Sequence, residues 1–128
     1  MFGITLIPSP TTTYKAPEPV VKDYSREGLK TLITEAFPNE PIMLCIADKE
    51  SGTAQFRPSG AILESPTKDY GLMQINQVHL PEAERLGLDV KNSVEDNLAM
   101  AKIVKARQGY KAWSTYPKCY NHLAQQGN

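Results

Sequence analysis

The chain is poor in the residues that build metal centres and membrane anchors. It holds two cysteines and two histidines, and Cys45, Cys119, His79 and His122 are too scattered to resemble a zinc site, so neither metal nor cofactor is expected. No His-containing motif accompanies either cysteine, which argues against a thiolate nucleophile. Nor is there a run approaching the roughly 20 apolar residues that a membrane helix takes, so no membrane span is expected. Met1 to Ile7 is apolar but lacks a basic start and runs into Pro8 and Pro10, so it does not pass as a secretory signal. Acidic residues stop at Asp96. Beyond it stand Lys102, Lys105, Arg107, Lys111 and Lys118, balancing an acidic excess earlier in a chain of zero net charge. That polarity suits a partner carrying carboxylates, suits nucleic acid, and equally suits a solvated helix face.

With 128 residues and 41% hydrophobic content, the length fits one domain with one core. Residues 1–22 carry Pro8, Pro10, Pro17 and Pro19 with Thr11, Thr12 and Thr13, and read as an arm or linker. Residues 23–120 form the expected domain, and 121–128 a polar tail. Leu29, Leu32, Ile33, Ala36 and Phe37 predict a helix from about Tyr24, ended by Pro38. A second helix is expected from the capping residue Asn39 and early Pro41 to Ser51, with Gly52 as a left-handed stop. Residues 53–68 have no sustained period and predict a loop or small hairpin. Leu80 to Leu86 predicts a short helix stopped by Gly87. Ser93 to Asp96 has the shape of a capping box and opens a central helix to about Gln108, with Leu98, Ala101 and Val104 inward and Met100 and Ile103 flanking. A last short helix is expected from Tyr110 to Tyr116, stopped by Pro117. The fold class is therefore mainly α.

The stretch from Cys45 to Asn76 carries the chemistry. Glu50 follows Ile46 by four, on the face that goes into the core, and stands in the last turn of its helix. There the helix dipole disfavours a negative charge by roughly 0.3–1 kcal/mol, so the pKa is expected to rise. A raised pKa is what a general acid needs. Asp69 supplies a second carboxylate, and Gln74 and Asn76 add amides. This is the equipment for cleaving a glycosidic bond. The plain alternatives are a solvated Glu50 paired with Lys49, an Asp69 that caps a turn, and amides that satisfy backbone groups. Cys45 and Cys119 are either two buried thiols or a pair whose long loop would stabilise by roughly 4 kcal/mol in the chain-entropy account.

Four ordered blocks carry a family resemblance: Cys45 with Glu50-Ser51; Asp69-Tyr70-Gly71-Leu72-Met73-Gln74-Ile75-Asn76; Asn97 with Ala101-Lys102-Ile103-Val104; and Ala112-Trp113 with Tyr116 and Cys119. Over residues 39–120 the chain resembles the lysozyme-like superfamily. Glu-Ser with Gly-Leu-Met-Gln is similar to bacterial lytic transglycosylases of the soluble type. Asp-Tyr-Gly-x-x-Gln-Ile-Asn with these cysteines resembles animal C-type lysozymes. The resemblance implies an α+β fold with a small loop or hairpin lobe and a substrate cleft. It implies Glu50 as the catalytic acid and Asp69 as the C-type second carboxylate. Ser51, Ser65, Tyr70, Gln74, Asn76, Trp113 and Tyr116 would line the substrate site. Trp113 resembles the C-type tryptophan packed against the acid, and Cys45 and Cys119 fall near positions bridged in that branch.

The implied substrate is the peptidoglycan glycan strand, with no nucleic acid partner and a monomeric enzyme. A lytic transglycosylase uses one glutamate as acid and then base and leaves a 1,6-anhydro end. A hydrolytic lysozyme would use Glu50 and Asp69 together. The glutamate-to-glutamine block favours transglycosylation. A non-catalytic glycan-binding module is the reading from another class. The implied setting is periplasmic, extracellular or phage-associated.

Overall fold

The computed structural model describes Gly3 and residues 22–126; the rest of the expected arm lies outside the described residues. Five helices and one two-stranded ladder follow in the order α1 (Arg26–Ala36), α2 (Ile42–Ser51), β1 (Asp69–Tyr70), β2 (Ile75–Asn76), α3 (Leu80–Arg85), α4 (Val94–Gln108) and α5 (Tyr116–Gln126). The fold is mainly helical, as the pattern predicts.

Capping chemistry explains where the helices begin. The Ser25 hydroxyl accepts from the Gly28 N–H at 3.1 Å and opens α1, and the Ser93 hydroxyl accepts from the Asp96 N–H at 3.1 Å and opens α4, each satisfying an orphan donor of the first turn. The reciprocal half of a capping box is missing. Asp96 turns away and accepts from the Asp89 N–H at 2.8 Å, fixing the loop that leads into α4.

Two expectations about helix ends are corrected. Asn39 does not cap α2. It sits in a left-handed turn with φ 63°, and Pro41 takes the N-cap place without a side-chain bond. Pro117 does not stop a helix either. Tyr110–Ala112 is only a 3-10 turn, and Pro117 stands in the first turn of α5, where its missing N–H costs nothing. The helix therefore continues through residues 121–126, where a polar tail was expected.

α1 packs on α2 and α4, and α5 packs on α2. α4 runs through the centre, burying Val94, Asn97, Leu98, Met100, Ala101 and Val104. Met100, expected at the flank of the inward stripe, is fully enclosed. Leu29, Ile33, Met43, Ile46 and Ala47 complete the helical side of the core, and Leu72, Met73 and Ile75 plug it from the hairpin. Cys45 of α2 and Cys119 of α5 are disulfide-bonded, with Cα atoms 5.7 Å apart. Among the described residues no helix is long and apolar enough to cross a membrane.

The basic side of α4 is partly neutralised. Lys105 pairs with Glu40, which also accepts from the Tyr110 hydroxyl. Arg107 makes a two-pronged bond to Glu82 of α3. These pairs tie α4 to the start of α2 and to α3, so part of the charge asymmetry is structural.

Candidate active site

The site is organised by a buried turn. Asp69 pairs with Asn76 and Tyr70 with Ile75 in antiparallel register, and the four residues between the strands, Gly71 to Gln74, are all buried. A buried turn must find partners for its own peptide groups. Here side chains supply them. The Leu72 N–H donates to Gln55 Oε1 at 2.7 Å, and the Leu72 carbonyl accepts from the Ser51 hydroxyl at 2.7 Å. The Met73 N–H donates to Asn97 Oδ1 at 2.9 Å, and its carbonyl accepts from the Trp113 indole at 2.7 Å. Four side chains from α2, the loop behind it, α4 and the segment before α5 thus satisfy the N–H and C=O groups of two consecutive residues.

Gln55 and Asn97 are themselves satisfied on their nitrogen ends. Gln55 donates to the Val90 and Lys91 carbonyls, and Asn97 to those of Tyr70 and Val90. Gly71 makes this closeness possible. At φ 75° a Cβ would lie 2.4 Å from Gln55 Oε1 and 2.6 Å from Asn97 Nδ2, so no larger residue fits without displacing the network.

Glu50 stands one residue before the serine that grips this turn. Gly52, at φ 67°, closes α2 immediately behind it. The Glu50 carboxyl accepts from the Thr115 hydroxyl at 3.1 Å. Burial pushes its pKa above the usual carboxylate value; the Thr115 side chain and backbone pull the other way, and the negative charge of Asp69 adds to the rise. The direction matches the sequence expectation, and burial is the leading cause. Among the described residues no cation lies within ion-pair distance of Glu50, so Lys49 does not neutralise it.

Asp69 has the opposite environment. Its Oδ2 accepts from the Ser65 hydroxyl at 2.7 Å and from Thr67, and its Oδ1 accepts from Asn76 Nδ2 at 2.9 Å. Burial alone would push this carboxyl up, but the hydrogen bonds from Thr67, Ser65 and Asn76 outweigh it and hold the pKa below its ordinary value. Two carboxyls close enough to feel each other are thus pushed in opposite directions, Glu50 toward the neutral acid and Asp69 toward the anion.

The remaining predicted site residues divide by what their polar groups touch. Asn76 donates to Asp69 and to the Thr67 carbonyl and accepts from the Val78 N–H, so it fixes the second carboxylate and leaves little to offer a sugar. Gln74, at φ 49°, donates to the Gly71 and Leu63 carbonyls. Its nitrogen serves the turn. Ser51 and Trp113 grip the turn, and Ser65 holds Asp69. Tyr70 is buried, with Lys91 Nζ 4.4 Å from its ring centroid, and the neighbouring Glu64 pushes the pKa of its hydroxyl up. Tyr116 stacks on Tyr110 with centroids 5.7 Å apart and meets Tyr120 at 5.9 Å. Trp113 reaches the turn; the side chain bonded to the acid is Thr115, two positions on.

Thr115, Thr67 and Gln55 escaped the sequence reading. Their hydroxyls and amide lie in irregular segments with no periodicity to mark them. Proximity to Trp113 and Asp69 in the chain was the available signal. Cavities of about 370 and 330 Å³ are lined by Leu80, Leu88 and Lys91 and by Tyr24, Gln55 and Phe56 respectively, and neither is lined by Glu50 or Asp69. Among the described residues no three His, Cys, Asp or Glu side chains gather as a metal site.

No protein-family model matches this chain, and comparison with curated proteins and with solved structures likewise finds no match.

Proposed function

We propose that the protein is a peptidoglycan-cleaving lytic transglycosylase, a muramidase that cuts the β-1,4 bond between N-acetylmuramic acid and N-acetylglucosamine. The observation that carries this reading is the divergence of two neighbouring carboxyls, Glu50 raised by burial and Asp69 lowered by hydrogen bonds. Such a pair supports glycosidic cleavage by a proton donor beside an anion, and Gly71-Leu72-Met73-Gln74 with Ser65-Pro66 favours transglycosylation over hydrolysis. The resemblance of the ordered motifs to the lysozyme-like superfamily supplies the substrate class.

In this mechanism Glu50 gives its proton to the glycosidic oxygen, and the glycosidic C–O bond breaks as positive charge grows on the muramyl ring. Asp69 stabilises that charge. Glu50, now a carboxylate, takes the proton of the muramyl 6-hydroxyl as that oxygen closes on the anomeric carbon, giving the 1,6-anhydro product. Both Asp69 oxygens already accept hydrogen bonds, which lowers their nucleophilicity and suits an electrostatic role. The cleft belongs to this reading, between the hairpin, the helix that carries Glu50 and the segment that carries Thr115, and so does a periplasmic, extracellular or phage-associated setting.

Asp69 also supports the second reading, a hydrolytic lysozyme, because a resident ionised carboxylate is the partner that retaining hydrolysis uses. Digestion of purified cell walls tests both. Glu50→Gln is expected to lose at least about 100-fold in rate with the fold intact. Equal clearing by wild type and Glu50→Gln would end the catalytic assignment of Glu50; wall binding with no clearing by either protein would mark a glycan-binding module. Mass spectrometry then separates the chemistries: muropeptides lighter by one water mark anhydro ends, and reducing ends mark hydrolysis.

A further inference from the structure

A single glutamate that is acid and then base must work in two protonation states without moving. The Thr115 hydroxyl lies 3.1 Å from Glu50 Oε1, in the segment just before α5. A hydroxyl is a donor and an acceptor in one atom. It donates to the carboxylate, and on rotation it accepts from the carboxylic acid. A backbone N–H lacks the second ability. We propose that Thr115 is the positioning residue for Glu50, keeping its carboxyl in one place while the proton leaves and returns. The inference rests on the proposed role of Glu50 and deepens it.

The surroundings make this contact durable. The Thr115 carbonyl accepts from the Lys118 N–H at 3.1 Å and the Cys119 N–H at 3.3 Å, so the residue is tied to the first turn of α5. Cys119 is in turn bonded to Cys45, five positions before Glu50 on α2. The hydroxyl and the carboxyl are thus held by the same covalent frame. The charged groups facing α2 are few. Arg26 of α1 is engaged with Asp48 at 2.8 Å. Lys118 of α5 lines a cavity with Asp48 and Lys49. Asp69 of the hairpin is the charge that acts on Glu50. Removing the Thr115 hydroxyl therefore changes a neutral contact and leaves the local charges in place.

The test is Thr115→Val, which keeps shape and the backbone amide, with Thr115→Ser as the rescue. Carboxyl carbon NMR, with the resonance assigned through Glu50→Gln, follows the titration of Glu50 directly and needs no activity. The midpoint is expected to rise in Thr115→Val and to return in Thr115→Ser. On cell walls kcat is expected to fall roughly tenfold in the valine variant, as a misaligned acid would cost, with KM unchanged and the serine variant restored. A Glu50 midpoint that stays put in Thr115→Val, or a valine variant with wild-type kcat, overturns the proposal. A wild-type protein that releases no muropeptides removes the proposed function itself, and this role with it, whatever the titration shows.

Discussion

Asn76 faces Asp69 across the two-residue ladder and also donates its side-chain amide to Asp69 Oδ1 at 2.9 Å. Backbone register and side-chain chemistry thus fix the same carboxylate. Asp69→Asn isolates its charge at nearly constant shape. If Asp69 only supports positive charge on the sugar, wall digestion is expected to fall by less than about tenfold, against the 10²–10⁴ that a general acid contributes. Anhydro ends should persist. A loss as deep as that of Glu50→Gln, with reducing-end products in the wild type, would favour the hydrolytic reading instead.

The pH profile of wall digestion follows from the two directions. Asp69 stays ionised to below the ordinary aspartate value of about 3.9, and Glu50 stays protonated to above the ordinary glutamate value of about 4.3. Activity is expected to form a bell, with its acid limb below the first value and its alkaline limb above the second. In Asp69→Asn the alkaline limb should move down, because a charge that raises the Glu50 pKa is gone. An alkaline limb that stays fixed would show that the two groups do not communicate.

Stability should register the cost of keeping Glu50 buried. A carboxyl whose folded pKa is raised contributes most when protonated, below its unfolded value, and that contribution is lost as pH rises through the folded value. Glu50→Gln removes the dependence. The variant is expected to melt at a higher temperature than wild type at pH 7, with the difference shrinking below about pH 4. Parallel curves for the two proteins would contradict the burial of this group.

Asn97→Leu probes the turn. Asn97 is fully buried and serves the Met73 N–H and the Tyr70 and Val90 carbonyls. Leucine fills the volume but orphans these groups, at an expected cost of about 2–4 kcal/mol in urea unfolding. A cost below about 1 kcal/mol would mean that the turn finds other partners.

The helices were legible in the sequence because periodicity and caps agree: Ser93 and Gly52 stand where the pattern asks for them. Glu50 was legible for the same reason, since its spacing from Ile46 puts it toward the core. The errors lie where local rules admit two answers. Asn39 suits both an N-cap and a left-handed turn, and Pro117 suits both the end and the start of a helix. The inward turn of Gly71 to Gln74 was hidden, because its partners Gln55 and Asn97 are distant in the chain and no periodicity announces a buried amide. Ser51, Gln74, Asn76 and Trp113 stood out as sugar ligands; the Ser51 hydroxyl, the Trp113 indole and the Gln74 amide nitrogen bond the turn, and Asn76 bonds Asp69.

The bond between Cys45 and Cys119 encloses the chain from the middle of α2 to the first turns of α5, and both carboxyls, the hairpin and Thr115 lie inside that ring. A backbone cut anywhere in the exposed stretch Phe56 to Ala61 would leave the two fragments covalently joined. The molecule can therefore be nicked in a protease-rich setting without shedding half of its site, and only reducing conditions would let the pieces separate.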